Sequence, residues 1–522
     1  MPNSSAAAHR LPADGPVLSI TSSVCNTAHM HEVLTAEEMR KADAAAIAGG
    51  IPGITLMEQA GASVAKVIQD RYNPATPALV LCGPGNNGGD GFIVAAQLKN
   101  AGWKVRVACL VKKAGLKGDA ALAAKQWEGE VESLNSNLSL KDTGLIVMAI
   151  FGTGLSKTLE PEIVTLFDKI RAKKIPVVAV DLPTGLHAST GTVSPGMLGA
   201  DVTVTFCRKK LAHMLLPGRE LCGQVLVAEI GIPDQVIADL KTTVFENTPA
   251  LWLKDFPVPG TDAHKYTRGH ALIYGGVKRT GAACLAAAAA QKIGAGLVSV
   301  ASRAASAPIY HAYRASIMVD EWTVRDDFKG LLRDERRNTV LAGPGAGIDD
   351  HLKEAVDDIL TANKAAVFDA DVFTLFKDSP AALFARLSPD KHVLTPHEGE
   401  FTRLFGAMEG NKLERARKAA RTANAIVLLK GPDTVIAAPD GMVVINTNAP
   451  PTLATAGSGD VLAGMITGLM AQGMSPFMAS CAAVWLHGDA AQSYGLGLTA
   501  EDIIQQLPQS LNRLLRPSKP DR

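Results

Sequence analysis

No two of the seven cysteines form a C-x-x-C pair; Cys25, Cys82, Cys109, Cys207, Cys222, Cys284 and Cys481 lie scattered along 522 residues. That spacing fits neither a zinc ligand set nor a disulfide framework, and it points to a reducing compartment, most simply the cytoplasm. Charge of one sign is also lacking: the formal net charge is +1, which leaves no electrostatic signature for nucleic acid or an anionic membrane surface. Aromatic residues are scarce at 5%, against abundant alanine and glycine, and this suits close-packed α/β layers better than an aromatic-rich β-sandwich. No apolar run is long enough to span a membrane. The first thirty residues lack a charged segment followed by a sustained apolar stretch, so they read as a poorly ordered tail, not a secretory signal.

What is present is a long, ordinary globular composition, with 47% apolar and 20% charged residues, too large for a single core. Thr35-Ala-Glu-Glu38 is a capping-box pattern that should open a helix ending at Gly49-Gly50. A second helix carries Leu56, Ala60, Val64 and Ile68 on one stripe. Short apolar strands then alternate with helices: strands at Ala78–Cys82, Trp103–Val111, Leu145–Ile150 and Val177–Val180, and helices near Phe92–Ala101 and Glu162–Lys173. This alternation predicts a parallel sheet covered on both faces.

The texture changes at Asn247–Gly260, where three prolines interrupt any period, and a domain seam is expected there. A second α/β series follows. Its strands are expected at His270–Tyr274, Leu297–Ala301, Thr339–Ala342, Ala366–Asp369, Val393–Thr395 and Ile426–Lys430, and Pro439-Asp440-Gly441 marks a hairpin. The division expected is a tail over 1–30, a first domain over 31–240, a linker over 241–253 and a second domain over 254–518.

Three polar loops follow strands of the first half: Gly83-Pro-Gly-Asn-Asn-Gly-Gly-Asp-Gly91, Gly152-Thr-Gly-Leu-Ser-Lys-Thr158 and Val180-Asp-Leu-Pro-Thr-Gly185. In an open parallel sheet, ligands bind at the carboxyl ends of the strands, so these loops should converge on one edge. Glycines allow backbone to approach a ligand, and exposed N–H groups at a helix start favour phosphate. Side-chain oxygens of Asn86, Asn87 and Asp90 suit a ribose or a hard cation. A tight strand-to-helix turn with no ligand is the plainer alternative for any one of these loops.

The first half resembles the NAD(P)H-hydrate epimerase family, the so-called YjeF N-terminal domain, from about Leu34 to Pro233. GNNGGDG, FGTGL, VDLPTGL and the segment Pro217–Pro233 carry the resemblance, in order. It implies a Rossmann-like three-layer α/β/α sandwich that interconverts the R and S hydrates of NADH and NADPH at C6 of the reduced ring. By the same resemblance Asn86, Asn87, Gly88, Gly89 and Asp90 bind the nucleotide, together with Gly152, Thr153, Gly154, Leu155, Ser156, Lys157 and Thr158. Asp181 is implied as the acid/base group, since epimerisation moves a proton and a positioned carboxylate can carry it; a structural turn acid is its alternative. Asn87 and Thr184 are implied to hold potassium. One departure bears on that ion: family members carry an acid four residues before GTGL, where this chain has Met148, and a thioether is a poor ligand for a hard alkali cation.

In the second half, Thr455-Ala-Gly-Ser-Gly-Asp-Val-Leu-Ala-Gly464 opens a helix whose N–H groups and dipole can receive a phosphate. Lys430-Gly-Pro-Asp-Thr434 closes a strand with a cation and a hydroxyl, Gly343-Pro-Gly-Ala-Gly347 is a further glycine loop, and Thr395-Pro-His-Glu-Gly-Glu400 places His397 beside two acids. This half resembles the ribokinase-like superfamily and, within it, the NAD(P)H-hydrate dehydratases, from about Lys254 to Leu515. The matching segments are HKYTRGHALIYGG, GAACLAAAAAQKIGAGLV, GPGAG, DADVF, TPHEGEF, LKGPDTVI and TAGSGDVLAG. The resemblance implies that ADP or ATP, with magnesium, phosphorylates the C6 hydroxyl of the S hydrate, after which phosphate leaves. It assigns Ala282, Gly347, His397 and Asp460 to the hydrate, with Asp460 the general base. Lys430, Gly431, Pro432, Asp433, Thr434 and Gly459 go to the nucleotide. A homo-oligomer is expected by analogy. Two other readings follow from the same residues: a small-molecule kinase of the superfamily, and an N-terminal half that binds nucleotide without catalysis.

Overall fold

A computed structural model describes residues 31–154 and 158–515. The tail 1–30 with Cys25, the loop residues Leu155, Ser156 and Lys157, and residues 516–518 lie outside the described residues. Among the described residues no helix is long and apolar enough to cross a membrane.

Each half is a sheet with helices on both faces. The first sheet has seven strands in the order Val131–Ser133, Val105–Cys109, Ala78–Cys82, Leu145–Ala149, Val177–Val180, Val202–Phe206, Gln224–Ala228, all parallel. Its central strands are buried along their whole length, which is why they read as continuous apolar runs and not as alternating ones. The chain enters at Ala78–Cys82, builds outward on one side, then returns to build on the other from Leu145–Ala149. The switch between these two strands opens a crevice at their carboxyl ends.

The second sheet has ten strands, with the analogous switch between His270–Tyr274 and Arg337–Ala342. Here the antiparallel pair Val435–Ala437 and Val443–Ile445 forms the expected hairpin, Gly441 taking a positive φ of 101° in its turn. The capping box at Thr35 and Glu38 is formed, and Gly49 caps the far end of that helix.

Two segments differ from the sequence-based expectation. The glycine-rich run is not a loop preceding a helix at Phe92: the helix spans Asn86–Asn100, so Asn86 to Gly91 are its first turns. Glycine is required there by packing, not by turning. A Cβ at Gly88 would lie 1.9 Å from the Gly83 carbonyl oxygen, and one at Gly91 would meet the side chains of Ala149 and Cys82 at 2.7 and 2.9 Å. The helix thus lies against the strand ends with no side chain between. The stretch 241–253, expected as a linker, is also built into the second half. Val244–Glu246 is the edge strand of the ten-stranded sheet, paired in parallel with Val443–Ile445. Beyond it, Trp252 is fully buried in that half's core. The local texture reads as linker because edge pairing and a single buried tryptophan leave no periodic signature.

The halves share a seam. Val33, Leu211, Met214 and Leu215 from the first half pack in one apolar cluster with Val244, Val435 and Val443. Lys209 donates to both carboxylate oxygens of Glu246 at 2.8 Å.

Candidate active sites

The crevice of the first half is a cavity of about 420 Å³, of the size that takes a small-molecule ligand. Polar groups on its wall include Asn86, Asn87, Asp90, Gly152, Thr153, Gly154 and Asp181. The three loops named from the sequence therefore meet. Gly88 and Gly89 are buried inside the helix start, and Thr158 is exposed and absent from the cavity wall.

Asp181 follows the strand Val177–Val180 in the left-handed region, with φ of 64°, a conformation costly for a non-glycine residue and frequent at functional sites. Its backbone is held on both sides, by its own N–H donating to Val204 at 2.8 Å and by a 3.0 Å contact from His213 Nε2 to its carbonyl. One carboxylate oxygen accepts from Lys210 Nζ and Thr205 Oγ1, both at 2.9 Å, and the other accepts from the Thr153 N–H at 3.2 Å. Burial pushes its pKa up, but the charge and hydrogen bond of Lys210 outweigh this, so the group is held below its ordinary value and ionised. Lys210 is itself buried, with further bonds to Thr205 and Phe206.

Two other carboxyls on the wall are pushed the opposite way. Burial, reinforced by Asp181, holds Asp90 well above the usual carboxylate range. Burial raises Asp43 to about 6, although Lys210 counteracts it. One cavity thus holds a carboxylate kept below its ordinary value, one pushed well above it and one raised to about 6, the arrangement that separates acid from base roles. Neither Lys210 nor Asp43 was named from the sequence as a site residue. The available signal was weak: Lys210 is the last of three successive basic residues, Arg208 to Lys210, and Asp43 lies on the face of a helix whose neighbours Met39, Ala42 and Ala46 are buried.

The residues implied for potassium do not fit the ion. Met148 is fully buried, and its sulfur accepts the Thr184 N–H at 3.1 Å. Thr184 Oγ1 is engaged with both the N–H and the carbonyl of Phe151, each at 3.2 Å. With its amide oriented to satisfy both neighbours, Asn87 donates to the Val180 carbonyl at 3.0 Å and accepts from the Gly152 N–H at 3.3 Å. A donor N–H and a thioether stand where a cation needs oxygen.

In the second half the named loops also converge. Gly347 donates its N–H to Asp371 at 2.9 Å, and a Cβ at Gly343 would lie 1.8 Å from the Asp369 carbonyl oxygen, so the GPGAG and DADVF segments are pressed together. A Cβ at Gly345 would meet that of Ala282 at 3.1 Å. Lys430 Nζ donates to Asp369 at 2.8 Å and lies 3.8 Å from Glu400, whose other carboxylate oxygen is 3.4 Å from His397 Nε2. His397 caps the helix Glu398–Phe405, its Nδ1 accepting from the Gly399 N–H at 3.0 Å.

A side chain at Gly459 would come within 3.7 Å of the Lys430 ammonium, which puts the start of the helix Ser458–Ala471 beside the lysine. Asp460 forms no ion pair among the described residues; burial, with Asp369 adding, raises it to about 6. Burial pulls Lys430 down, but Asp369 and Glu400 more than offset this and hold it charged. Asp369 and Glu400 were not named as site residues, because their work is to hold the lysine.

The family described as YjeF-related protein N-terminus matches residues 53–212, and the one described as NAD(P)H-hydrate dehydratase matches residues 271–512. The chain is 36% identical over 518 residues to the bifunctional NAD(P)H-hydrate repair enzyme Nnr of Moorella thermoacetica, covering 92% of this chain and 97% of that protein. The enzyme of the same name from Escherichia coli is 34% identical over 507 residues, covering 92% and 94%. A solved structure, the ADP/ATP-dependent NAD(P)H-hydrate dehydratase from Bacillus subtilis co-crystallized with ATP and magnesium, is 29% identical. It covers 49% of this chain and 94% of that chain, with a TM-score of 0.43.

Proposed function

Because this chain belongs to the family of bifunctional NAD(P)H-hydrate repair enzymes, we propose that its first cavity epimerises the R and S hydrates and that its second site dehydrates the S form. One observation carries this reading. Each half brings a buried or half-buried lysine together with carboxylates in its loop cluster: Lys210 pairs with Asp181, and Lys430 pairs with Asp369 while its charge also acts on Asp460.

In the first half Asp181 is the ionised base that takes the proton of the C6 hydroxyl or ring. Asp43 supplies a group that can return one near neutral pH. The N-terminal turn of Asn86–Asn100 faces the cavity, and its free N–H groups suit the dinucleotide phosphate. No step is assigned to potassium.

In the second half Asp460 accepts the proton of the C6 hydroxyl as its oxygen attacks the terminal phosphoryl group of ADP or ATP, leaving AMP or ADP. The C6–O bond then breaks, its electron pair leaves with phosphate, a proton is lost from the ring, and the dihydronicotinamide is restored. Phosphorylation is needed because hydroxide is a poor leaving group. Lys430 neutralises charge on the phosphates, and the N–H groups at Ser458–Asp460 receive them. Magnesium, when bound with the nucleotide, would neutralise phosphate charge. The six described cysteines are unpaired and buried, as a reducing compartment such as the cytoplasm allows.

The test uses a mixture of R and S hydrates with ADP or ATP and magnesium, following near-ultraviolet recovery of the reduced cofactor. Recovery should run well past the S fraction, faster than spontaneous epimerisation. A halt at the S fraction would remove the epimerase assignment and leave the dehydratase.

A further inference from the structure

The carboxylate of Asp433 is engaged on both oxygens. One accepts from Lys412 Nζ at 2.8 Å, and the other accepts the N–H of Leu216, a residue of the opposite half of the chain, at 3.0 Å. Close by, Arg219 Nη1 donates to the Pro432 carbonyl at 3.1 Å and to the Thr447 carbonyl at 3.4 Å. Lys412 closes the loop from the other side by donating to the Lys430 carbonyl at 3.2 Å. Inside the loop Thr434 Oγ1 accepts from the Gly431 N–H at 3.1 Å and donates to its carbonyl at 2.7 Å. The segment that reaches across is anchored in turn. Leu211, Met214 and Leu215 sit in the shared apolar cluster, and the same segment carries Lys210 and His213 against Asp181.

We propose that Arg219 and the Leu216 N–H are positioning groups for the dehydratase, through which the N-terminal half holds the Lys430–Thr434 loop in the shape that receives the nucleotide. The inference rests on the reading of that loop as the nucleotide site. Its physical basis is twofold. A free carboxylate beside a polyphosphate would repel it, and the Leu216 N–H together with the Lys412 ammonium occupies both oxygens of Asp433. A short Gly-Pro-Asp loop left unheld must be ordered when ligand binds, and that cost weakens affinity; holding it beforehand removes the cost.

The experiment uses the full chain, with initial rates of S-hydrate dehydration measured against ADP or ATP at fixed magnesium, for Arg219→Ala, Arg219→Lys and, as a reference, Lys430→Met. Arg219→Ala should raise the nucleotide KM about fivefold to tenfold, the scale of one net hydrogen bond, with kcat nearly unchanged. Arg219→Lys should recover part of this, since an ammonium can still donate to the Pro432 carbonyl. The epimerisation rate of the same preparations should match the unmodified chain. If Lys430→Met raises the nucleotide KM and Arg219→Ala does not, the positioning role is refuted and the nucleotide site stands. If neither raises it, the nucleotide reading falls and the positioning role falls with it. Equal loss of kcat and thermal midpoint in Arg219→Ala, without a change in KM, would reduce Arg219 to a structural contact and also refute the proposal.

Discussion

Replacing Lys210 with Met tests the electrostatic logic of the first cavity most directly. The methionine has similar length, so the change removes a charge and three hydrogen bonds, to Asp181, Thr205 and Phe206, with little change in volume. Asp181 is left buried with only Thr205 and the Thr153 N–H as partners. Breaking a buried ion pair by removing one partner costs about 3–5 kcal/mol, which for a domain of this size lowers the midpoint by roughly 6–20 °C. The pH dependence has a definite sign. In the unmodified chain the folded pKa of Asp181 is depressed, so its stabilising contribution is present above the unfolded pKa and is lost only as the pH falls through the folded value, in the acid range. In the variant, burial, the largest influence on Asp181, is no longer offset by Lys210 and raises the folded pKa above the unfolded one. Its relative stability is then greatest in acid and falls as the pH rises through the new pKa. Scanning calorimetry should therefore find the gap between the two proteins wider at about pH 8 than at about pH 5. The double variant Lys210→Met/Asp181→Asn should recover much of the loss, because no unpaired charge remains. A gap that does not change with pH, or a double variant no more stable than the single one, would refute the pairing as described.

Three further outcomes follow from the same geometry. Epimerisation should be unaffected when potassium is exchanged for choline at constant ionic strength, whereas Met148→Asp should lose stability in choline and regain part of it in potassium; potassium-dependent epimerisation by the unmodified chain would show that the ion is held after all. The kcat/KM of dehydration should rise through pH of about 6 and level off above it, as Asp460 loses its proton. Asp460→Asn should remove that dependence and lower the rate by about 10²–10⁴. Gly88→Ala should abolish epimerisation while dehydration persists, since its Cβ would stand 1.9 Å from the Gly83 carbonyl oxygen and the three atoms it would meet, O, C and N of Gly83, are all backbone. A loss of at least about 3 kcal/mol is expected in denaturant unfolding of that variant, the upper range for overpacking.

Much of the architecture was legible in residue order. Buried parallel strands are short apolar runs, and those at Ala78–Cys82, Val177–Val180 and His270–Tyr274 stand where the runs stand. Their following loops carry the polar residues, so the sheet's own geometry predicts that Asn87, Thr153 and Asp181 share a cavity. The capping box at Thr35 is equally local, decided within one turn of helix. The start of the helix at Asn86 was misplaced because glycines favour turns on intrinsic preference, and here close packing against Gly83 and Ala149 overrides that preference.

The partners of the charged groups were not legible. Lys210 lies 29 residues from Asp181 in the chain, and Leu216 lies 217 from Asp433. Nothing in either segment alone identifies the other as its partner. By itself the sequence determined the elements, the order of the loops and the chemistry each loop can offer, because those depend on residues within a few positions of one another. Which carboxylate stays ionised, which lysine holds it, and which half of the chain shapes the other's loop were decided only when packing brought distant strand ends together, since desolvation and Coulomb attraction act through space and not along the chain.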